Sequence, residues 1–357
     1  MYIGVSKVAV DILGLISSFT IFFSVYAILS LSLNLEYGVA GQPNFGKVLF
    51  YSIGCYTSGY ISSVFLLYLT GHMVAIGSSE AIVLRGSIAE SEPLINAVAF
   101  ISSIAIAFIF GALAGYVASF PALKLKGDYL GITLLAAGEI FRIVIRGQES
   151  FSGGTQGIAG IPNPFIWISD VKLRYLSYAL ICLICAICIY LYMIKLVNSP
   201  YGRLLESIRD NEMASLSFGK KVSWIRGQVM MLGSGFAAIA GVLYSYYSGF
   251  VQADAFLPVV TFVVWVMVFM GGTANIKGSF LGALVISAID LATRVVSFEL
   301  QSKLGTMAFH IDYLRYIAYA ILIILILMFK PSGLIPEKPI ETPAWSAINE
   351  EKSVGGS

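Results

Sequence analysis

The sequence predicts an all-α, polytopic membrane helix bundle of about nine transmembrane helices, with a glycine-rich break after the first. Three observations predict it. Of the 357 residues, 58% are apolar and only 12% charged, where a soluble domain has about 45–50% and about 25%. The apolar residues fall in blocks of about 17–25, the helix length that crosses about 30 Å of hydrocarbon. The blocks also lack the period-2 alternation of barrel strands. A segment in lipid must satisfy its own backbone, so the helix is the spanning form that remains.

Taken in order, the expected spans are 9–33, 48–70, 96–120, 129–146, 173–197, 227–248, 257–271, 279–297 and 311–329. The opening MYIGVSKVAVDILGL enters the first block with no small-residue cleavage site, so that span is expected to be retained. After it, GVAGQPNFG (38–46) interrupts the apolar run with three glycines, Pro43, Gln42 and Asn44. Two readings fit: an interfacial turn, or irregular backbone at membrane depth, tolerated only against protein or a water-filled pathway. Loop 71–95 carries one basic residue, Arg85. In the fourth span Glu139 would cost at least about 2.5–3.5 kcal/mol facing lipid. It is expected to face the bundle, either beside a pathway or in a polar contact, with Arg142 one turn on as a partner.

The glycine-rich stretch SGGTQGIAGIPNP reads as a flexible external connector or as a contact for an external protein. Cys182, Cys185 and Cys188 fall on one stripe of an apolar span without a polar loop or a fourth ligand, and are read as small hydrophobes, not a metal site. The glycines of GVLYSYYSGF and GGTANIKGSFLGA are read as small faces for close helix packing. Asp290, near a span end, is expected to reach the interface. Residues 1–335 form one membrane domain, and 336–357 a flexible tail.

Lys and Arg near span ends are retained on the cytoplasmic side. Residues 198–226 carry five of them, Arg203, Arg209, Lys220, Lys221 and Arg226, so that loop is expected inside and 71–95 outside. With nine spans the N-terminus lies outside and the tail inside.

Function is bounded by what is missing. A net charge of +2 with no basic run gives no reason for a nucleic-acid partner. GQPNFGKV fits seven positions of a phosphate loop, but Val48 stands where the hydroxyl for magnesium belongs and no buried strand precedes it. Energy from ATP would therefore enter through a separate subunit, which requires a docking surface. An ion-coupled secondary transporter would place several ionisable groups at midplane, whereas Glu139 is the one clear carboxylate well inside a span and His72 and His310 lie near or outside span ends. Loop 198–226 is longer than a reversal needs. Leu204, Leu205, Ile208, Met213 and Leu216 recur at helical spacing opposite Glu206, Arg209, Asp210 and Glu212, and Gly219 stands where the helix should stop. The mixed charge suits a protein cleft better than a lipid surface.

This loop, together with AGQPNFG, GDYLGITLLAAGEIFRIVI, SFSGGTQGIAGIP, FMGGTANIKGSFLGA and FKPSGLIP in that family order, resembles the permeases of the branched-chain amino acid ABC transporter family. The likeness covers essentially the whole chain and is closest to the LivM kind of subunit. It implies a prokaryotic, multi-pass cell-membrane protein that catalyses no chemistry itself. The implied partners are two ABC ATPases that bind ATP and Mg, a LivH-type permease, an extracytoplasmic substrate-binding protein and membrane lipid. The implied substrates are leucine, isoleucine, valine or related small amino acids, though related permeases serve urea and short amides. By the same resemblance Arg203, Ile208, Arg209, Glu212, Ala214 and Gly219 fall on the ATPase-coupling pattern. Gly41, Gln42, Asn44 and Gly46 fall on the segment near the translocation path, and Gly127, Asp128, Tyr129 and Glu139 on the GDYL-to-GEI block. Pro43, Asn44 and Lys47 depart from the commoner pattern of an apolar residue, a serine and a histidine.

Overall fold

A computed structural model describes residues 12–122, 127–304 and 312–337. Its α-helices run α1 Ile12–Leu33, α2 Lys47–Ser63, α3 Ser79–Ser91, α4 Pro93–Ala122, α5 Gly127–Gly147, α6 Glu149–Ser152, α7 Val171–Val197, α8 Pro200–Asp210, α9 Glu212–Ser217, α10 Val222–Ser248, α11 Pro258–Gly271, α12 Ile276–Leu304 and α13 Asp312–Phe329. A π-helical turn, Asn34–Val39, prolongs α1, and a second, Val64–Tyr68, prolongs α2. Two short strands, β1 Ile158–Ala159 and β2 Phe250–Val251, pair antiparallel.

Six helices among the described residues are long and apolar enough to cross a membrane: Ile12–Val39, Pro93–Pro121, Val171–Val197, Val222–Ser248, Ala253–Gly271 and Ile276–Val296. Helices also form over the other three expected spans, but they are not as long and apolar, and the count of nine is not confirmed. The reasons are physical. Most of α2 is buried behind α4 and α10, so it carries serine, glycine and tyrosine where a lipid-facing helix would carry leucine. α5 bears Glu139, Arg142 and Arg146, and the apolar part of α13 is short, Tyr316–Ile326. Residues 9–11, His310 and most of the expected tail lie outside the described residues.

The bundle is organised around α10, the most buried of the six, which packs against α4, α2 and α1. Its GSGFAAIAG stretch explains why. A methyl group added at Gly54 of α2 would sit 1.9 Å from the Ala238 carbonyl oxygen, and one at Gly241 would sit 2.1 Å from that of Tyr51. Such close backbone approach is open only to residues without bulk. On the other side α1 packs on α7, α12 and α11, while α7 turns an apolar outer face outward. The three cysteines follow that face: Cys182 is buried, Cys185 partly so, and Cys188 exposed.

Three expectations are corrected. Loop 71–95 contains α3, started by Ser78, whose side chain accepts from the Ala81 N–H. Arg85 on α3 is fully buried and donates to Ser63 Oγ, to Ile76 O at 3.1 Å and to Ala159 O. The glycine-rich stretch after α6 is therefore no loose connector: Ile158 and Ile161 are buried, and β1 is held by both β2 and Arg85. Asp290 does not reach the interface. It is 2% exposed, accepts from Tyr319 Oη at 3.0 Å and pairs with Arg294 at 2.9 Å, because a carboxylate kept inside a span needs such partners.

The 27-residue α10, about 40 Å long, separates two groups of loops. At its start lie α8, α9, the 34–46 segment, the α11–α12 turn and residues 330–337. At its far end lie α3, the β1–β2 ladder and Asp254. Loops 198–226 and 71–95 thus stand at opposite ends, as the basic-residue asymmetry requires.

Candidate functional site

The long loop folds as two helices where the spacing predicts one. Ser199 caps α8 by accepting from the Tyr201 and Gly202 N–H groups, with Pro200 at the first helical position. The chain then turns extended at Asn211 (φ −152°, ψ 98°), whose side chain accepts from the Ala214 N–H at 3.0 Å and starts α9. Asparagine competes with the helix for backbone donors, which is why one amphipathic run becomes two segments. Gly219, φ +72°, ends α9 in the left-handed region that favours glycine.

The expected coupling residues divide into two groups. Arg203, Ala214 and Gly219 are exposed. Ile208 is buried with Leu205 and Gly202, which seat α8 against the end of α7 and the first π turn. Arg209 is partly buried, whereas Glu212 stays exposed while pairing with Arg226 of α10 at 2.9 Å. Arg209 donates from Nη1 to the Gly38 carbonyl at 2.8 Å, from Nη2 to Glu337 at 2.9 Å and from Nε to Asp210 at 3.1 Å. Burial works against the charge on Arg209, but the hydrogen bonds to Glu337 and Asp210 outweigh it and hold the guanidinium above its ordinary range. Beside it, burial pushes the Glu206 carboxyl up, with Arg209 opposing and Glu337 and Asp210 adding to the rise. The outward face of α9 is instead apolar, with Met213 73%, Leu216 45% and Phe218 82% exposed. Phe218 was hidden from helical spacing because it follows the last turn.

The 38–46 segment connects antiparallel α1 and α2 inside the protein. Gly41, φ +69°, is exposed and packs against the aliphatic part of Arg209. Gln42 is buried and donates to the Arg226 carbonyl at 3.4 Å. Asn44 is buried, donates to Glu36 Oε2 at 2.9 Å, accepts from the Gly46 N–H at 2.9 Å, and its carbonyl accepts from the Trp265 indole at 3.3 Å. Gly46 lies against the Leu134 backbone, where a methyl group would come within 2.5 Å of the carbonyl oxygen. Gln42, Asn44 and Gly46 of the irregular segment are thus enclosed by protein, while Gly41 is open at the end of the bundle.

Sequence reasoning missed the centre of this network. Lys47 Nζ stands 2.8 Å from Glu36 Oε1, the two side chains 1% and 0% exposed. The lysine of the apparent phosphate loop is the counter-ion of a buried carboxylate. Opposite charges flanking a glycine-rich break were the available signal. Gly233 on α10 leaves the room for this pair, since a methyl group there would come within 2.1 Å of Glu36 Oε1.

Glu139 is not part of that network. It pairs within α5 to Arg142 at 2.8 Å, and Arg142 and Arg146 each reach Asp254 at 3.4 Å, at the far end of the molecule. Tyr129 faces outward; the side chain of Asp128 lies outside the described residues.

Among the described residues no group of three or more His, Cys, Asp or Glu could hold a metal ion. What the geometry offers is mechanical: a rigid helix pair with an apolar outer face, joined through buried contacts to an interrupted helix. The profile of the branched-chain amino acid transport system permease component matches residues 15–328. The chain belongs to this permease family. Over 334 residues it is 37% identical to the probable branched-chain amino acid transport permease protein LivM of Methanocaldococcus jannaschii, covering 93% of this chain and 96% of that protein. The high-affinity permease protein LivM of Escherichia coli is 28% identical over 87% of this chain and 68% of its own. The LivH protein of Salmonella typhimurium is 24% identical over 89% and 93%. No solved structure matches the chain. As a member of this permease family it is a multi-pass cell-membrane protein of prokaryotes, with six described helices long and apolar enough to span the membrane.

Proposed function

We propose that this permease is the LivM-like subunit of an ATP-driven importer for leucine, isoleucine, valine or related small amino acids. It catalyses no reaction. Two ABC ATPases hold ATP and Mg, a LivH-type permease stands beside it in the membrane, and an extracytoplasmic binding protein delivers the substrate. The observation that carries the reading is the exposed apolar face of α9, Met213, Leu216 and Phe218, presented on a helix pair whose other face is buried against the bundle. Such a face in water costs free energy unless a protein cleft covers it. Lys220 and Lys221 beside it support a cytoplasmic position, where ATPases work. Closure of the ATPase pair would shift α9, and α8 would pass the shift inward through Leu205, Ile208 and Arg209. Gly41, Gln42, Asn44 and Gly46 then border the moving part of the pathway.

The test is purification of the assembled complex in mild detergent from native membranes, followed by uptake of labelled leucine by proteoliposomes. Copurifying ATPases and ATP-dependent uptake, competed by isoleucine and valine, support the reading. Competition by urea or short amides alone would reassign the substrate. Uptake driven by an ion gradient without ATPases would replace the class.

A further inference from the structure

Residues 330–337, which follow α13, form a strap across the end of the bundle. The Leu334 N–H donates to Met270 O at 2.8 Å, and the Ile335 N–H to Gly271 O at 2.9 Å. Asn275 Nδ2 donates to Pro336 O at 2.9 Å. The strap lies flush because Gly333, φ +78°, sits on Gly272, φ +121°, where a methyl group on Gly333 would come within 2.5 Å of the Gly272 Cα. The same α11–α12 turn is tied to the helix break, since the Ala274 N–H donates to Asn34 Oδ1 at 2.9 Å. Ala274 itself stands at φ +63°, a conformation an alanine rarely adopts. Asn34 opens the π turn that contains Gly38.

These bonds close a ring. From Arg209 it runs to the Gly38 carbonyl, along the π turn to Asn34, across to Ala274 and Asn275, to the strap at Pro336, and from Glu337 back to Arg209. Arg209 occupies two arms of its planar fork in doing so, a geometry that a lysine's single ammonium reproduces poorly. We propose that Glu337 and Arg209 are a positioning pair for transport, yoking the docking helices to the helix break so that both move as one body. The strap thereby becomes a working part of the coupling route and not a passive exit of the chain.

The pair is unsuited to a purely stabilising role. Glu337 is 39% and Arg209 22% exposed, and ion pairs so open to solvent add little to stability. What the pair supplies is a fixed angle between α8, the strap and the break.

This inference rests on the proposed importer function. Its test uses the whole transporter reconstituted in proteoliposomes, reading ATP hydrolysed per leucine taken up, with complex recovery measured by gel filtration. Wild type is compared with Glu337→Ala and Arg209→Lys. The expected result for both is full recovery of complex and retained ATP hydrolysis, with the ratio of ATP to leucine raised severalfold. The exchange Arg209→Glu/Glu337→Arg should stay uncoupled, because a glutamate cannot donate to the Gly38 carbonyl. An unchanged ratio in Glu337→Ala overturns the inference. So does a loss of uptake and hydrolysis in equal proportion to lost complex, which marks a structural role. Absence of ATP-dependent uptake in wild type would instead refute the importer reading.

Discussion

Lys47 Nζ lies 2.8 Å from Glu36 Oε1 across the glycine-rich break, with neither side chain reaching solvent. The pair joins the end of the first spanning helix to the start of α2. Asn44 between them bonds the same carboxylate, at 2.9 Å. Removing one charge leaves the other buried and uncompensated, which costs about 3–5 kcal/mol. Lys47→Met or Glu36→Gln alone is expected to lower the melting temperature in detergent sharply. The double substitution Glu36→Leu/Lys47→Met should recover much of the loss, since well-packed apolar replacements of a buried pair are often neutral. Melting curves of the three variants check this; equal losses in single and double variants would refute it.

Helix contact through glycine backbones predicts a contrast between two sites. Gly54→Ala on α2 drives a methyl group to 1.9 Å from the Ala238 carbonyl oxygen, and overpacking of this kind costs about 1–3 kcal/mol. Gly86→Ala on α3 meets nothing within 4 Å and removes unfolded-state freedom, a gain of about 0.4–1 kcal/mol. Thermal shift measurements should therefore move in opposite directions.

Phe218→Glu and Met213→Glu alter side chains that are 82% and 73% exposed. Each is expected to leave the stability of the isolated subunit within about 0.5 kcal/mol of wild type. ATPase copurification should nevertheless fall steeply. Retained copurification in both would move the docking surface elsewhere.

Arg85 serves Ser63, Ile76 and Ala159 from inside the far-end loops, and burial pulls its pKa down to about 10. Arg85→Met leaves these acceptors without a donor, at about 1–3 kcal/mol for each group that water does not reach. Hydrogen exchange should quicken in α3 and in residues 157–161 and stay unchanged in α8 and α9. A uniform rise across the chain would show a global effect in place of a local one.

The helical membrane body and the place of each main helix were legible in the sequence, because lipid imposes a length and an apolar composition on every outward-facing span. The same rule explains why α2 falls short of that composition: it is enclosed by protein and freed from the rule. The docking loop was legible as amphipathic spacing, but its break at Asn211 was not, because capping there depends on a single side chain competing with the helix.

By itself, then, the sequence determined the all-α membrane class, the glycine-rich break, the basic asymmetry of the loops and the permease family, all of which depend on local composition, spacing or motif order. Only the tertiary structure decided that Arg209 faces the break and Glu337, that Lys47 answers Glu36, that Asp290 is enclosed and that Arg85 anchors the far-end loops. The reason is physical. Arg209 and Gly38 are 171 residues apart, and a contact at that separation is set by how helices pack, which no local pattern along the chain encodes.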